Sequence, residues 1–404
     1  MTPRPATTSK KLLPIDADNR VLNVFRSAAA LLVVFGHVRL LFFKDYANVE
    51  HSPLVAGLYS LTSLGSEAVI IFFVLSGYWV GGSVISRFQA RRFAWSTYAS
   101  ARLTRLWLVL IPALAATLLL DRIGIAIFPQ SDVYEITSVY DGLPEALSYS
   151  PLTFVGNLAF LQGLHVPVLG TNQPLWSLAF EFWYYLLFPG LLASFWQGSP
   201  KSKLFGAVVS VAAIVISGPA VLVLFPVWLL GAGVAAARRP IVETLNTFPR
   251  MPLAVFRGVS VVLVIGASIA AHELELPFGL GSLMLGAATA VAVAAFIVDV
   301  GWSGVFGRLL SAASWTAHSS YSLYATHMPL VTFMAAAFVP EFENRWTISF
   351  ATTASFIGIV IVCCIFAYVF ARFTERKTEF VREWMSHLID RPKPVAQHQD
   401  HPPT

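Results

Sequence analysis

Apolar stretches poor in Asp, Glu, Lys and Arg recur along this chain, each bounded by a short polar segment. Crossing a hydrocarbon core of about 30 Å takes roughly 20 helical residues. Ten stretches meet or approach that length: 22–43, 67–86, 103–120, 174–196, 203–218, 220–237, 257–272, 277–299, 320–339 and 347–371. The uncharged run 204–237 is too long for one crossing, and Ser217-Gly218-Pro219 in its middle is a turn signal, so it is read as two helices. The run 152–164 is too short to cross and is read as an interfacial or re-entrant helix in a long loop. The pattern predicts an all-α polytopic integral membrane protein of about ten transmembrane helices, with the lipid bilayer as a partner. A membrane domain of 21–373 follows a tail of 1–20 and precedes a tail of 374–404. That last tail opens on an amphipathic segment, 380–385, and turns into Pro, His and Gln, which predicts disorder after about residue 391.

Composition sharpens this picture. The 404 residues are 56% hydrophobic and 12% charged, against about 25% charged in a soluble domain. The first 20 residues are polar, so the first apolar segment is read as a span and not as a cleavable leader. The net charge of +5 comes in clusters between spans, which points to cytoplasmic loops and away from a nucleic-acid partner. With both termini cytoplasmic, the inner side receives Arg87, Arg91, Arg92, Arg102 and Arg105, then Lys201 and Lys203, then Arg238, Arg239, Arg250 and Arg257, then Arg308. The outer side receives Arg39, Lys44, Arg122 and Arg345, with Asp121, Asp132, Glu135, Asp141, Glu145, Glu273 and Glu275 in its loops. Two adjacent cysteines, Cys363 and Cys364, offer neither a disulfide framework nor a cysteine metal site.

Ionisable side chains inside spans are costly, and they are the default functional candidates. Arg26 and His37 stand eleven positions apart on the first span, which places them about 20° apart around a helix and about 16 Å apart along it. An imidazole here can take a proton from a hydroxyl or carry an acyl group, and the arginine can hold an anion. The alternative is a hydrogen-bonded core histidine. Glu181, about 10 Å below the outer side by the same arithmetic, is expected at the depth of His37, where it can orient the imidazole or hold a sugar hydroxyl. The alternative is a buried acid bonded to a neighbouring tyrosine or backbone. Glu67 opens the second span, where capping competes with an acceptor-pocket role. Gly77 and Gly81 form a small-xxx-small face suited to close packing. Arg102 and Arg105 share a helix face at the cytoplasmic boundary, so they can clamp a phosphate-bearing ligand or simply follow the positive-inside rule. His327 precedes Pro329, which frees a backbone carbonyl nearby and makes either a polar site or a plain kink.

These residues occur in ordered blocks: Arg26 with His37, Phe72-Phe73-Val74-Leu75-Ser76-Gly77-Tyr78, Arg102 with Arg105, Trp176-Ser177-Leu178 with Glu181, Tyr185, Phe188 and Pro189, and Ser320-Tyr321-Ser322-Leu323-Tyr324 with His327 and Pro329. In that order, over roughly residues 20–373, they resemble the membrane acyltransferase-3 family. Two positions depart from many relatives: Phe182 stands where a second acid is common, and Thr326 and Met328 replace aromatic neighbours of the histidine. The resemblance implies an O-acyltransferase with an acyl-CoA co-substrate, usually acetyl-CoA, and no tightly bound cofactor or metal. It implies catalytic roles for His37, Arg26 and Glu181, donor binding by Arg102 and Arg105, and an acceptor pocket near Glu67, Tyr321 and His327. The expected acceptor is a hydroxyl of a carbohydrate or lipid-linked saccharide, and the expected location is the bacterial inner membrane. The competing class is a transporter or flippase that uses Arg26, His37 and Glu181 as a substrate or proton path.

Overall fold

The computed structural model describes residues 19–135, 147–196, 198–274, 277–298 and 304–389. The expectations for the first 18 residues, for Asp141, Glu145 and Glu275, and for disorder past 391 lie outside them. The first half of the chain forms α1 (Arg20–Phe42), α2 (Pro53–Thr62), α3 (Gly65–Ser76), α4 (Gly82–Gln89), α5 (Trp95–Ile127), α6 (Pro151–Leu158) and α7 (Trp176–Phe195). The second half forms α8 (Pro200–Ala236), α9 (Arg238–Thr247), α10 (Arg250–Glu273), α11 (Phe278–Ala295), α12 (Gly304–Thr316), α13 (Ser320–Phe338), α14 (Phe350–Phe373) and α15 (Thr378–Ile389). A π-helical turn over Gly77–Gly81 joins α3 to α4 into one rod, Gly65–Gln89. Among the described residues, β pairing is limited to isolated bridges such as Phe43 with Trp346.

The chain is an all-α polytopic membrane protein, as the sequence predicts. Among the described residues, seven helices are long and apolar enough to cross a bilayer, with Pro200–Ala236 counted once. That helix is in fact two. Its N-terminal part runs against α7, since a Cβ on Gly206 would meet Ala193 Cβ at 2.7 Å and one on Gly190 would meet Ser210 Oγ at 2.5 Å. Beyond Gly218 the direction reverses: the Phe225 ring lies 5.3 Å from Tyr184 and the Trp228 ring lies 5.0 Å from Phe188, so both numberings now rise together. Gly218 makes the turn at φ 70° and ψ −175°, a conformation open only to glycine. The split expected at Ser217-Gly218-Pro219 is thus a helical hairpin. The α6 segment, within the run expected not to cross, has eight residues, a length of about 12 Å. Val208, Val211, Val215, Val262, Ile265, Ile361 and Ile365 are exposed on the outer helices, the surface a lipid environment requires.

The helix α1 runs through the middle of the bundle, packed against α3, α12, α13 and α14. Its start is fixed by Asn19, whose side chain accepts from the Val21 and Leu22 amides and donates to Phe296 O at 2.8 Å. Two prolines then shape the polar interior. Pro189 in α7 cannot donate to the Tyr185 carbonyl, and that oxygen accepts from Tyr98 OH at 2.9 Å. Pro329 in α13 likewise frees the Ala325 carbonyl, which accepts from Asn172 Nδ2 at 2.8 Å. The carbonyl expected to be freed near His327 is therefore occupied by an amide from the α6–α7 loop. Asp121, expected in an outer loop, is instead buried in α5, where it accepts from the Thr171 amide at 2.9 Å, Thr171 Oγ1 at 2.7 Å and Tyr149 OH at 3.2 Å.

Candidate active site

A cavity of about 560 Å³ opens between α1, α3, α4, α5, α7 and α13. Arg26, Arg87, Arg102 and Arg105 line it with Glu181, Tyr185 and Tyr321, and Phe72 and Tyr324 also face it. Arg102 and Arg105 sit three residues apart on α5 and share a face, as their spacing predicts. The Arg102 guanidinium lies over the rings of Tyr98 and Tyr185, at 5.8 and 5.7 Å. Arg26 donates to Ala317 O at 2.5 Å and rests over the Trp79 ring at 5.5 Å. Arg105 is accessible yet enclosed by protein, because its exposure is to the cavity. Among the described residues, Arg26, Arg102 and Arg105 have no carboxylate partner within salt-bridge distance. A concave site with four guanidiniums, none of them in a salt bridge among the described residues, is chemically suited to a polyanion.

Glu181 forms no ion pair with these guanidiniums, although its charge acts on Arg105, and its Oε1 accepts from two hydroxyls. Ser76 Oγ donates to it at 2.6 Å and Tyr185 OH at 2.5 Å, and Trp228 Nε1 donates in turn to Ser76 Oγ at 3.2 Å. The acid is therefore bonded to a neighbouring tyrosine, one of the two alternatives its sequence position left open, and it faces the cavity as well. Glu375 adds a further carboxylate from beyond α14. It accepts from the Ser322 amide at 3.1 Å and from Ser322 Oγ at 3.0 Å, within electrostatic reach of Arg26 and Arg105.

His37 and His327 lie apart from the residues lining this cavity and pair with each other. Their rings are 5.1 Å apart, and Nδ1 of His37 is 3.1 Å from Nε2 of His327. His37 Nδ1 is also 2.9 Å from Val33 O, while His327 Nδ1 is 2.9 Å from both Leu323 O and Tyr324 O. Between pair and cavity stand two rings: Tyr324, 6.0 Å from the His327 ring, and Phe72, 5.8 Å from Tyr324. Tyr324 is held in place because its hydroxyl donates to Pro174 O at 2.7 Å and bonds Ser177 Oγ at 2.6 Å.

The structure thus brings together Arg26, Arg102, Arg105, Glu181 and Tyr321 in one place and His37 with His327 in another. The expected meeting of Glu181 with His37 does not occur, since the hydrogen-bond partners of the two are different residues. The shared stripe of Arg26 and His37 is divided in the same way, with only Arg26 on the cavity. Glu67 lies elsewhere. It opens α3, 3.6 Å from His272, beside a small pocket of about 80 Å³. Sequence reasoning did not single out Ser76, Trp79, Tyr98, Trp228 or Glu375. The detectable signals were a hydroxyl, Ser76, inside an apolar run and Pro189 four residues past Tyr185, which demands an outside donor for that carbonyl.

Comparison with known proteins places the chain. A family model described as an acyltransferase domain matches residues 19–372. The acyltransferase MdmB of Streptomyces mycarofaciens is 31% identical over 215 residues, which is 51% of this chain and 47% of that protein. An uncharacterized protein of Haemophilus influenzae is 31% identical over 122 residues, 30% of this chain and 47% of the relative. The chain therefore aligns with about half the length of these curated relatives. No solved structure matches it. With the family model running from the first turn of α1 to the last turn of α14, the chain belongs to the membrane acyltransferase-3 family.

Proposed function

We propose that the protein transfers an acyl group, acetyl in the first instance, from acyl-CoA to a hydroxyl of an extracytoplasmic or lipid-linked carbohydrate such as an exopolysaccharide or lipopolysaccharide unit. The end of the bundle at which α1 begins faces the cytoplasm of a bacterial inner membrane. Arg87, Arg102, Arg105, Arg238 and Arg250 lie toward it in that topology, in keeping with the positive-inside rule. One observation carries the reading: four guanidiniums, none in a salt bridge among the described residues, line a cavity that leads from that end to Phe72 and Tyr324, with the histidine pair behind those rings.

The phosphates of CoA suit Arg26, Arg102 and Arg105, and the apolar wall of Val69, Phe73 and Leu178 suits the pantetheine arm. The thioester then comes up to the Phe72–Tyr324 partition. A movement of these rings brings its carbonyl to His37, which activates the acceptor hydroxyl. Glu181 keeps Ser76 and Tyr185 fixed and so holds the wall against which the donor lies.

The test is acyl transfer from labelled acetyl-CoA by purified protein in nanodiscs with candidate glycan acceptors. His37→Ala is expected to abolish transfer while insertion and melting temperature stay unchanged. Full transfer by that variant overturns the assignment, and uptake of solute into vesicles without acyl turnover favours the transporter class instead.

A further inference from the structure

We infer that His327 is a positioning residue for His37: it fixes the tautomer and ring orientation that leave Nε2 of His37 as the proton-accepting atom. The inference rests on the acyl-transfer reading of His37 given above and adds to it a specific atom and a specific partner.

The assignment follows from which atoms can donate. Nδ1 of His327 faces the Leu323 and Tyr324 carbonyls, both at 2.9 Å, and carbonyls only accept. The proton of a neutral imidazole therefore sits on Nδ1, and Nε2 keeps its lone pair. That lone pair points at Nδ1 of His37, 3.1 Å away. Nδ1 of His37 also faces the Val33 carbonyl at 2.9 Å. A lone pair on that atom would oppose the carbonyl oxygen, so Nδ1 of His37 carries a proton shared between Val33 O and His327 Nε2. With a proton on Nδ1 of each ring, every nitrogen in the chain of contacts has a complementary neighbour. The reverse assignment, with Nε2 of His327 donating, leaves the His37 lone pair against the Val33 oxygen.

Nε2 of His37 is then unprotonated and has no hydrogen-bond partner among the described residues, and the side chain is half-buried where His327 is wholly buried. His327 has no lone pair to spare for substrate, because its one acceptor nitrogen is taken by His37. It fills, as a neutral group, the place a carboxylate takes behind the histidine of a Ser-His-Asp triad. When the acceptor hydroxyl adds to the thioester carbonyl, a C–O bond forms and the C–S bond breaks. The hydroxyl proton passes to His37 Nε2 and from there to the departing thiolate, giving ester and CoA thiol. While His37 holds two protons, its Nδ1–H is stabilised by His327 Nε2 and Val33 O.

The variants His327→Ala and His327→Gln separate this role from packing, since glutamine retains an oxygen acceptor at about the reach of Nε2. His327→Ala is expected to lower kcat by about tenfold to a hundredfold, the cost seen when a metal-ligating histidine loses the outer partner that orients it, with the KM for acetyl-CoA unchanged. His327→Gln is expected to recover kcat to within a few fold of wild type. Activity of His327→Ala within twofold of wild type, equal losses in Ala and Gln, or a loss expressed in the donor KM would overturn the inference. Should the alanine variant not fold, 15N-histidine spectra of the wild-type protein, assigned with His327→Gln, decide the matter. A protonated Nδ1 and bare Nε2 on His37 support the inference, and the opposite tautomer overturns it. Transfer retained by His37→Ala removes the acyl-transfer reading itself, whereas inactive His37→Ala beside fully active His327→Ala removes only this inference.

Discussion

Replacing Gly77 with alanine tests how tightly the cavity wall is coupled to the bundle. A Cβ on Gly77 would sit 1.9 Å from the Trp228 carbonyl oxygen and 3.1 Å from the Ala232 amide nitrogen, both backbone atoms of the second limb of α8. Neither can rotate aside, so the two helices must separate by about 1 Å before the contact becomes tolerable. Trp228 Nε1 already donates to Ser76 Oγ at a length of 3.2 Å, and that displacement takes it beyond hydrogen-bonding reach. Overpacking of this kind costs about 1–3 kcal/mol. The lost hydrogen bond adds about 1 kcal/mol, and the better helix propensity of alanine returns about 1 kcal/mol. A net loss of about 2 kcal/mol is expected, read as a melting temperature lowered by several degrees in detergent. Activity is expected to fall with it, since Ser76 holds Glu181. Gly258→Ala is the control: nothing lies within 4 Å of a Cβ there, and its melting temperature should match or slightly exceed wild type. A Gly77→Ala protein that melts with wild type would refute the close-approach argument.

Arg105→Ala is expected to raise the KM for acetyl-CoA about tenfold or more, the worth of a charge-assisted contact, with little change in melting temperature, because this guanidinium faces the cavity. Arg102→Ala should raise KM comparably and also lower the melting temperature, since it strips a cation from the rings of Tyr98 and Tyr185; steady-state kinetics beside thermal unfolding separates the two, and identical profiles would count against the geometry. Phe72→Ala opens the partition between cavity and histidine pair, so hydrolysis of acetyl-CoA without acceptor is expected to rise severalfold in a free-thiol assay. An unchanged rate would show that the Phe72 ring does not separate the two compartments.

Much of this was legible from the chain. The fold class follows from apolar stretches long enough to span a bilayer, because in lipid the backbone must satisfy its own hydrogen bonds and the helix is the local way to do so. The reversal at Gly218 was legible too: a glycine before a proline inside an apolar run too long for one crossing is a local turn signal, and it lies at φ 70°. The shared face of Arg102 and Arg105 follows from helical periodicity alone. The packing reading of Gly77 and Gly81 holds for the same local reason, with α8 filling the space their missing side chains leave.

Which ionisable groups meet was decided by tertiary structure. Depth along the membrane placed Glu181 and His37 at one level, but depth says nothing about the direction in which each helix turns its side chains, and α7 turns Glu181 toward Ser76 on α3. Glu67 and Asp121 show the same limit: one is drawn to His272 and the other into a buried net with Thr171. Glu375 reaches the cavity charges from a segment whose local pattern is that of a polar tail. The pairing of His37 with His327, 290 positions apart, depends on how α13 packs against α1. Periodicity fixes which residues share a face of one helix, but only the packing of helices fixes which faces meet.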